Sequence, residues 1–212
     1  MKARLMNDCP LSDPSKLALR KQAVTLRAGL PITSLSPLLC QQIAMHPAFV
    51  SASRVLFYHP IRTEPDLRPL ACQFPQKNWF LPVMKPNNRM TFYPYHPHHS
   101  LKQGQHGIWE PDVLQESMAI MPAHLRPEDV MIVPGLLFDR SGYRLGYGQG
   151  NFDRFLGEAL QNGSNCVKFG AVPAALLWDS LPRDKWDLPV NWLFTEQETI
   201  QAHPENRGLK KF

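Results

Sequence analysis

The sequence predicts an α/β fold, a single-domain three-layer sandwich in which helices flank a largely parallel central sheet. Three observations lead there. Short apolar runs at 54–58, 79–84, 130–133, 168–172 and 190–194 read as strands. Helical patterns stand between and before them, at the N-terminal end and at 151–161. The stretch 129–156 carries a strand, a loop and a glycine-rich turn that opens a helix. With no internal repeat and no linker, 1–212 reads as one domain with flexible ends at 1–12 and 203–212.

Taken in order, Asp13-Pro14 supplies an N-cap followed by proline at the first helical position. Leu19, Ala23, Leu26 and Leu30 follow helical spacing and should face the core. Lys16, Arg20 and Arg27 share another face, for which a solvated basic surface is the commoner reading. Ser36-Pro37 opens a second helix that Pro47 ends. The strand 54–58 runs into a loop, 66–72 has room for a short helical turn, and 79–84 and 90–93 are further strands. The segment 93–106 is proline-rich and reads as an exposed, ordered loop. Its histidines (His96, His98, His99, His106) fit no zinc spacing and have no cysteine nearby, which makes them solvated loop residues.

Composition narrows the function. The 212 residues, 43% of them hydrophobic, suffice for one substantial core. No apolar run approaches the ~20 residues needed to span a bilayer, and the first residues lack the apolar centre of a signal peptide. A cytoplasmic protein is expected, with no membrane partner. Cys9, Cys40, Cys72 and Cys166 are scattered, as expected for reduced thiols rather than a disulfide framework or a zinc site. The net charge is +5, but the basic residues are dispersed, with small groups only at Lys16/Arg20/Lys21 and Lys210-Lys211. Such a field suits an anionic small molecule better than nucleic acid. A monomer is the default.

The chemistry concentrates in 129–156. The run Val130–Val133 breaks at Pro134-Gly135, a polar turn follows at Asp139-Arg140-Ser141-Gly142, and Arg144 leads into Gly146, Gly148 and Gly150. Phe152, Phe155, Leu156 and Leu160 then continue with helical spacing. Glycines let backbone N–H groups approach a phosphate closely, and the helix start adds free donors and a positive dipole end. A P-loop needs Gly-Lys-Ser/Thr, which is absent. The dinucleotide fingerprint is G-x-G-x-x-G, whereas this loop reads G-x-G-x-G. Arg144 suits a bidentate contact to phosphate oxygens, and Asp153, in the first helical turn, suits Mg²⁺ beside phosphates. The plain alternative is a glycine-rich hairpin with Asp153 complementing the helix dipole.

The motif Pro134-Gly135, Phe138-Asp139, Gly142, Arg144-Leu145-Gly146-Tyr147-Gly148-Gln149-Gly150-Asn151-Phe152-Asp153-Arg154 resembles the signature of the 5-formyltetrahydrofolate cyclo-ligase family, also called 5,10-methenyltetrahydrofolate synthetase. Further matches lie in family order: Lys16-Leu17-Ala18-Leu19-Arg20, the stretch 58–64, Gly107-Ile108-Trp109-Glu110-Pro111, Leu181-Pro182, Asp187 and Thr195-Glu196. The resemblance implies a reaction in which ATP drives closure of 5-formyltetrahydrofolate to 5,10-methenyltetrahydrofolate, releasing ADP and phosphate, with Mg²⁺ as cofactor. It also implies that residues 16–20 and 144–152 bind ATP, with Lys16 and Arg144 catalytic. Tyr58, His59, Glu64, Trp109 and residues 147–151 would bind the folate, with Phe92 a further stacking surface. Asp153 and Asp187 would hold the metal. On this basis Arg144→Ala should harm ATP use and leave the fold intact.

The chain departs from the family pattern at Asn151 and Phe152, where two aromatics are usual, at Pro65-Asp66-Leu67, and at Leu176, where glutamine is common. These departures motivate the alternative of a non-catalytic relative that binds folate or nucleotide.

Overall fold

The computed structural model describes residues 16–86, 89–104, 107–112 and 115–203. The Asp13-Pro14 cap, Cys9, His106, Lys210-Lys211 and nearly all of the two expected flexible ends lie outside the described residues.

A seven-stranded sheet forms the middle layer. Its strands are β1 (Arg54–Leu56), β2 (Asn78–Lys85), β3 (Arg89–Tyr95), β6 (Val130–Val133), β9 (Val167–Ala171), β11 (Trp192–Phe194) and β12 (Thr199–Gln201), in the order β12-β11-β9-β6-β1-β2-β3. From β11 to β2 every pairing is parallel, and the edge strands β3 and β12 are antiparallel to their neighbours. Two small sheets accompany it. One pairs β4 (Leu101–Gln103) with β5 (Trp109–Pro111); the other orders β10 (Leu177–Trp178), β7 (Leu137–Asp139) and β8 (Arg144–Leu145).

The layers follow from the period of two along each strand. Met131 and Val133 point into one apolar cluster with Leu56, Phe80 and Leu193; Val130 and Ile132 point into the other with Val55, Phe57 and Phe194. The first cluster is closed by Leu19 and Ala23 of α1 (Lys16–Ala28) and by Phe155, Leu156 and Ala159 of α5 (Asn151–Gln161). The second is closed by α2 (Ile32–Ala44), α3 (Pro47–Ser51) and α4 (Pro69–Gln73), through Leu39, Ile43, Phe49 and Leu70. This is the expected three-layer sandwich. No single helix among the described residues is long and apolar enough to cross a membrane.

Several expectations need correcting. Leu26 is exposed and Arg27 takes the buried place beside Leu19 and Ala23, because offsets of four and eight from Leu19 stay on its face. The second helix begins at Ile32, a turn before Ser36-Pro37, and Pro37 lies within it. There Ser36 Oγ donates back to Ile32 O at 2.8 Å and accepts from Asp66 N. Pro47 does not end that helix, which stops at Ala44, but opens α3. The supposed loop 93–106 carries the end of β3 and all of β4. Leu160 is exposed, its place in the core taken by Ala159. Phe92 is fully buried against Phe152 and Phe155, so it packs the core and offers no stacking surface to a ligand.

Candidate active site

In a parallel sheet the ligand crevice lies beyond the carboxyl ends of the strands, where the strand order reverses. Here the chain runs from β1 outward to β2 and β3, then returns to place β6 on the other side of β1. The loops after β1 and β6 therefore frame the crevice. The first carries Tyr58, His59 and Glu64; the second leads through β7 and β8 into the glycine loop.

Gly148 has φ +102 and Gly150 φ +65, backbone that a side chain would strain. Gly150 is the N-cap of α5 and gives no side-chain cap, so the first helical N–H groups remain for a ligand. Arg20 lies along the loop: its Nε donates to Gly146 O at 2.9 Å, and a Cβ on Gly148 would come within 3.2 Å of its Cζ. Asn151 is tied to Arg154 through its Oδ1 and to Gln149 Oε1 at 3.4 Å through its Nδ2. Leu19 and Leu145 have their side chains in the core, whereas Leu17, 61% exposed, and Ala18 face outward.

Arg144 is placed differently from the sequence expectation. Its buried guanidinium donates from Nη1 to Leu188 O and from Nη2 to Asp153 Oδ1, both at 2.9 Å. Burial pushes its pKa down, while the Asp153 and Asp187 charges draw it back up. It is a structural keystone between the glycine loop and the segment around Leu188, and removing it touches the core. Lys16, the first residue of α1, donates to Asp187 Oδ2 at 2.6 Å and Asp184 Oδ2 at 2.7 Å. Burial opposes the ammonium, but the bonds and charges of Asp184 and Asp187 outweigh it, so the Lys16 pKa rises.

Asp153 thus pairs with Arg144, and Asp187 is next in sequence to Leu188, whose carbonyl Arg144 also holds. Each receives two hydrogen bonds on one oxygen: Asp153 Oδ1 from Arg144 and Leu188 N, Asp187 Oδ2 from Lys16 and Asp184 N. Among the described residues no group of three or more His, Cys, Asp or Glu forms a metal cage. Mg²⁺ beside phosphates needs only one or two carboxylates, the remaining ligands being phosphate oxygens and water, so the pair fits an ion that arrives with a nucleotide.

The other half of the crevice is a buried carboxyl. Glu64, 7% exposed, accepts from Ile61 N at 3.1 Å. Burial pushes its pKa up to about 7, against the pull of the Ile61 N–H, Arg27 and Arg62. Arg62 adopts φ +53 and lies over the Tyr147 ring, 5.2 Å from its centroid. Arg62 belongs to the Glu64 loop and Tyr147 to the glycine loop, so the two halves meet at this ring. Tyr58 donates to Pro65 O at 3.0 Å, and burial raises its pKa far above the ordinary value. The His59 ring contacts Pro60 O and Arg68; as Arg68 can only donate, Nε2 accepts and Nδ1–H donates to the carbonyl. Burial and Arg68 lower the His59 pKa, which keeps that neutral tautomer. Trp109, 41% exposed, borders His59 at 6.4 Å between rings.

Sequence reasoning missed Arg27 and Asp139. Asp139 is wholly buried and accepts from Ser141 N, Tyr143 N, Leu181 N and Arg183, fixing the turn before β8. Its place in the motif was a signal. For Arg27 the signal was a charge on the stripe of Leu19 and Ala23.

A model of the 5-formyltetrahydrofolate cyclo-ligase family matches residues 15–196. The chain belongs to the 5-formyltetrahydrofolate cyclo-ligase family. Within it, the chain is 35% identical over 118 residues to the Haemophilus influenzae 5-formyltetrahydrofolate cyclo-ligase, covering 54% of this chain and 59% of that protein's length. It is 32% identical over 151 residues to the Escherichia coli K12 5-formyltetrahydrofolate cyclo-ligase, covering 68% of this chain and 79% of the relative. The NMR structure of the Aquifex aeolicus 5,10-methenyltetrahydrofolate synthetase superposes with a TM-score of 0.74 at 31% identity, over 92% of this chain and 96% of that one. The family match takes in both halves of the crevice, from Lys16 through Glu64 and the glycine loop to Asp187.

Proposed function

We propose that the chain converts 5-formyltetrahydrofolate to 5,10-methenyltetrahydrofolate, with Mg-ATP consumed and ADP and phosphate released. The observation that carries this reading is Tyr147, which joins the glycine loop to the Glu64 pocket within a match to the cyclo-ligase family. An ATP-dependent ring closure needs a γ-phosphate and a buried polar ring site side by side.

The formamide oxygen attacks the γ-phosphorus and ADP leaves. The folate N10 then attacks the resulting iminium-like carbon and loses its proton, and phosphate departs with the former formyl oxygen. The loop 146–150, the start of α5 and Arg20 bind the phosphates through N–H groups. Glu64 accepts hydrogen bonds from the pterin N–H groups, with Tyr58, His59 and Trp109 around it. Arg144 and Lys16 hold Asp153 and Asp187 in place beside the phosphates. Mg²⁺ held by those two carboxylates would offset charge on the phosphate oxygens. No enzyme nucleophile is required, and burial pushes Cys40 and Cys166 up to about 12, which keeps both as thiols. We take the chain as one domain and a monomer acting on two small molecules in the cytoplasm, with neither nucleic acid nor membrane as partner.

The test is purified protein with Mg-ATP and 5-formyltetrahydrofolate, followed at the near-ultraviolet band of the conjugated amidinium product. The band should grow only with both ATP and Mg²⁺ present. Its absence with ATP bound would favour a non-catalytic relative. That second reading draws on Asn151 and Leu176, which stand where the family pattern has an aromatic and a glutamine; Leu176 is fully buried in the core.

A further inference from the structure

Arg27 lies in the last turn of α1, and its side chain is 0% exposed. Nη2 donates to Gly135 O and, at 2.9 Å, to Leu136 O. Nε and Nη1 are buried with no hydrogen-bond partner. A guanidinium half satisfied in a protein interior is a standing penalty. Chains tolerate such violations of the packing rules chiefly at functional sites.

The place of this one is telling. Gly135 and Leu136 follow β6, Glu64 follows β1, and β1 and β6 are the neighbours between which the strand order reverses. Arg27 therefore reaches from α1 to the backbone beside that reversal, close to the Tyr147 side chain, and its charge acts on Glu64 and Tyr58. Glu64 is faced by Ile61 N and Arg62 from its own loop, by Tyr58 from the end of β1, by Tyr147 from the glycine loop, and by Arg27 from α1. Of the two cations, Arg62 sits on the loop with its side chain over Tyr147, whereas Arg27 is fixed in the core by two carbonyls.

We propose that Arg27 is a positioning residue of the folate subsite: it pins the Gly135-Leu136 backbone and supplies the fixed positive charge that keeps the Glu64 carboxylate ready to accept the N–H groups of the pterin. The proposal rests on the reading of Glu64 as the folate-binding carboxylate. Protonating Glu64 turns one acceptor oxygen into a donor, which clashes with a ligand N–H. Burial drives Glu64 toward that state and Arg27 opposes it.

The experiment is folate affinity against pH, by calorimetry with 5-formyltetrahydrofolate in the absence of ATP. Four proteins are compared: wild type, Arg27→Gln, Glu64→Gln, and a semisynthetic Arg27→citrulline made by joining synthetic residues 1–39 to Cys40. Citrulline keeps the shape and an NH₂ donor for the two carbonyls and removes the charge. Wild-type affinity should fall as pH drops through about 7, approaching tenfold per pH unit below the midpoint, and Glu64→Gln should bind weakly with a flat profile. Arg27→Gln and Arg27→citrulline should move the midpoint upward, which at pH 7 weakens binding by about fivefold for the first unit moved. A wild-type midpoint in the citrulline protein overturns the role of Arg27 even if Arg27→Gln fails to fold. Wild-type affinity and pH profile in Glu64→Gln overturn the underlying assignment of Glu64 instead.

Discussion

Replacing Glu64 with glutamine should stabilise this fold at the same time as it weakens folate binding. A free carboxyl titrates near 4.5, and Glu64 in the folded chain titrates near 7 because burial disfavours its charge. Between those values the native state holds a proton that the unfolded chain has released, so stability falls as pH rises through that window. At about 1.4 kcal/mol per pH unit, the charged form costs the native state roughly 3 kcal/mol once pH exceeds 7. Glutamine is nearly isosteric, keeps an oxygen for Ile61 N and never carries the charge. Arg27 and Arg62 lose the carboxylate they face, which offsets part of the gain. For a chain of this size, where 1 kcal/mol moves Tm by about 2–4 °C, a rise of about 5 °C at pH 8 is expected. The assay is thermal unfolding of both proteins from pH 5 to 8.5, and the gap should close toward the acid end. A variant that melts below wild type at pH 8, or a gap independent of pH, would refute a Glu64 strained by burial.

Three further outcomes follow from the same structure. Arg144→Ala removes one partner of a buried ion pair and orphans Leu188 O, so it should lose about 3–5 kcal/mol and visibly lower Tm; an unchanged melting curve would return Arg144 to a free phosphate ligand. Gly148→Ala forces a side chain onto φ +102 and against Arg20; a strain of about 1–3 kcal/mol borne by the loop should weaken ATP binding roughly tenfold or more, with folate binding retained, as titration of each ligand will tell. Burial lowers the His46 pKa, and its Nδ1 accepts from Ala48 N at the start of α3. The unfolded chain therefore binds the extra proton first, and the stability from neutral His46 is full above 6.5 and lost as pH falls below it. In a Glu64→Gln background, which removes the opposite titration, His46→Asn should flatten the loss of Tm between pH 7 and 5.

The layers were legible because strand burial alternates with sequence. Four apolar residues in a row at Val130–Val133 meant a strand covered on both faces, and they do divide between the two cores. The glycine loop was legible because its backbone conformations admit few other residues. What stayed hidden depends on distant partners. A charge on a helix ordinarily means solvent, and nothing local says that Gly135 and Leu136 carbonyls await Arg27. The protein partners of Arg144 stayed hidden because Asp153 is nine residues away and Leu188 forty-four. The β4–β5 hairpin escaped notice in a proline- and histidine-rich run, its signal being Gly104, where a Cβ would fall 2.2 Å from the Glu110 carboxyl. Ser36-Pro37 misled because proline usually begins helices, whereas here it sits inside one.

The ion pair of Lys16 with Asp187 joins residues 171 positions apart. A chain emerging from a ribosome makes α1 first and the glycine loop much later, and it cannot close this contact until Asp187 has been synthesised and released from the exit tunnel. The surface that Lys16 and Asp187 build together is accordingly among the last features to form. Ligand rescue of folding, where it operates, therefore waits until Asp187 has emerged, so added ATP should protect the finished chain from proteolysis and leave shorter nascent fragments as vulnerable as before.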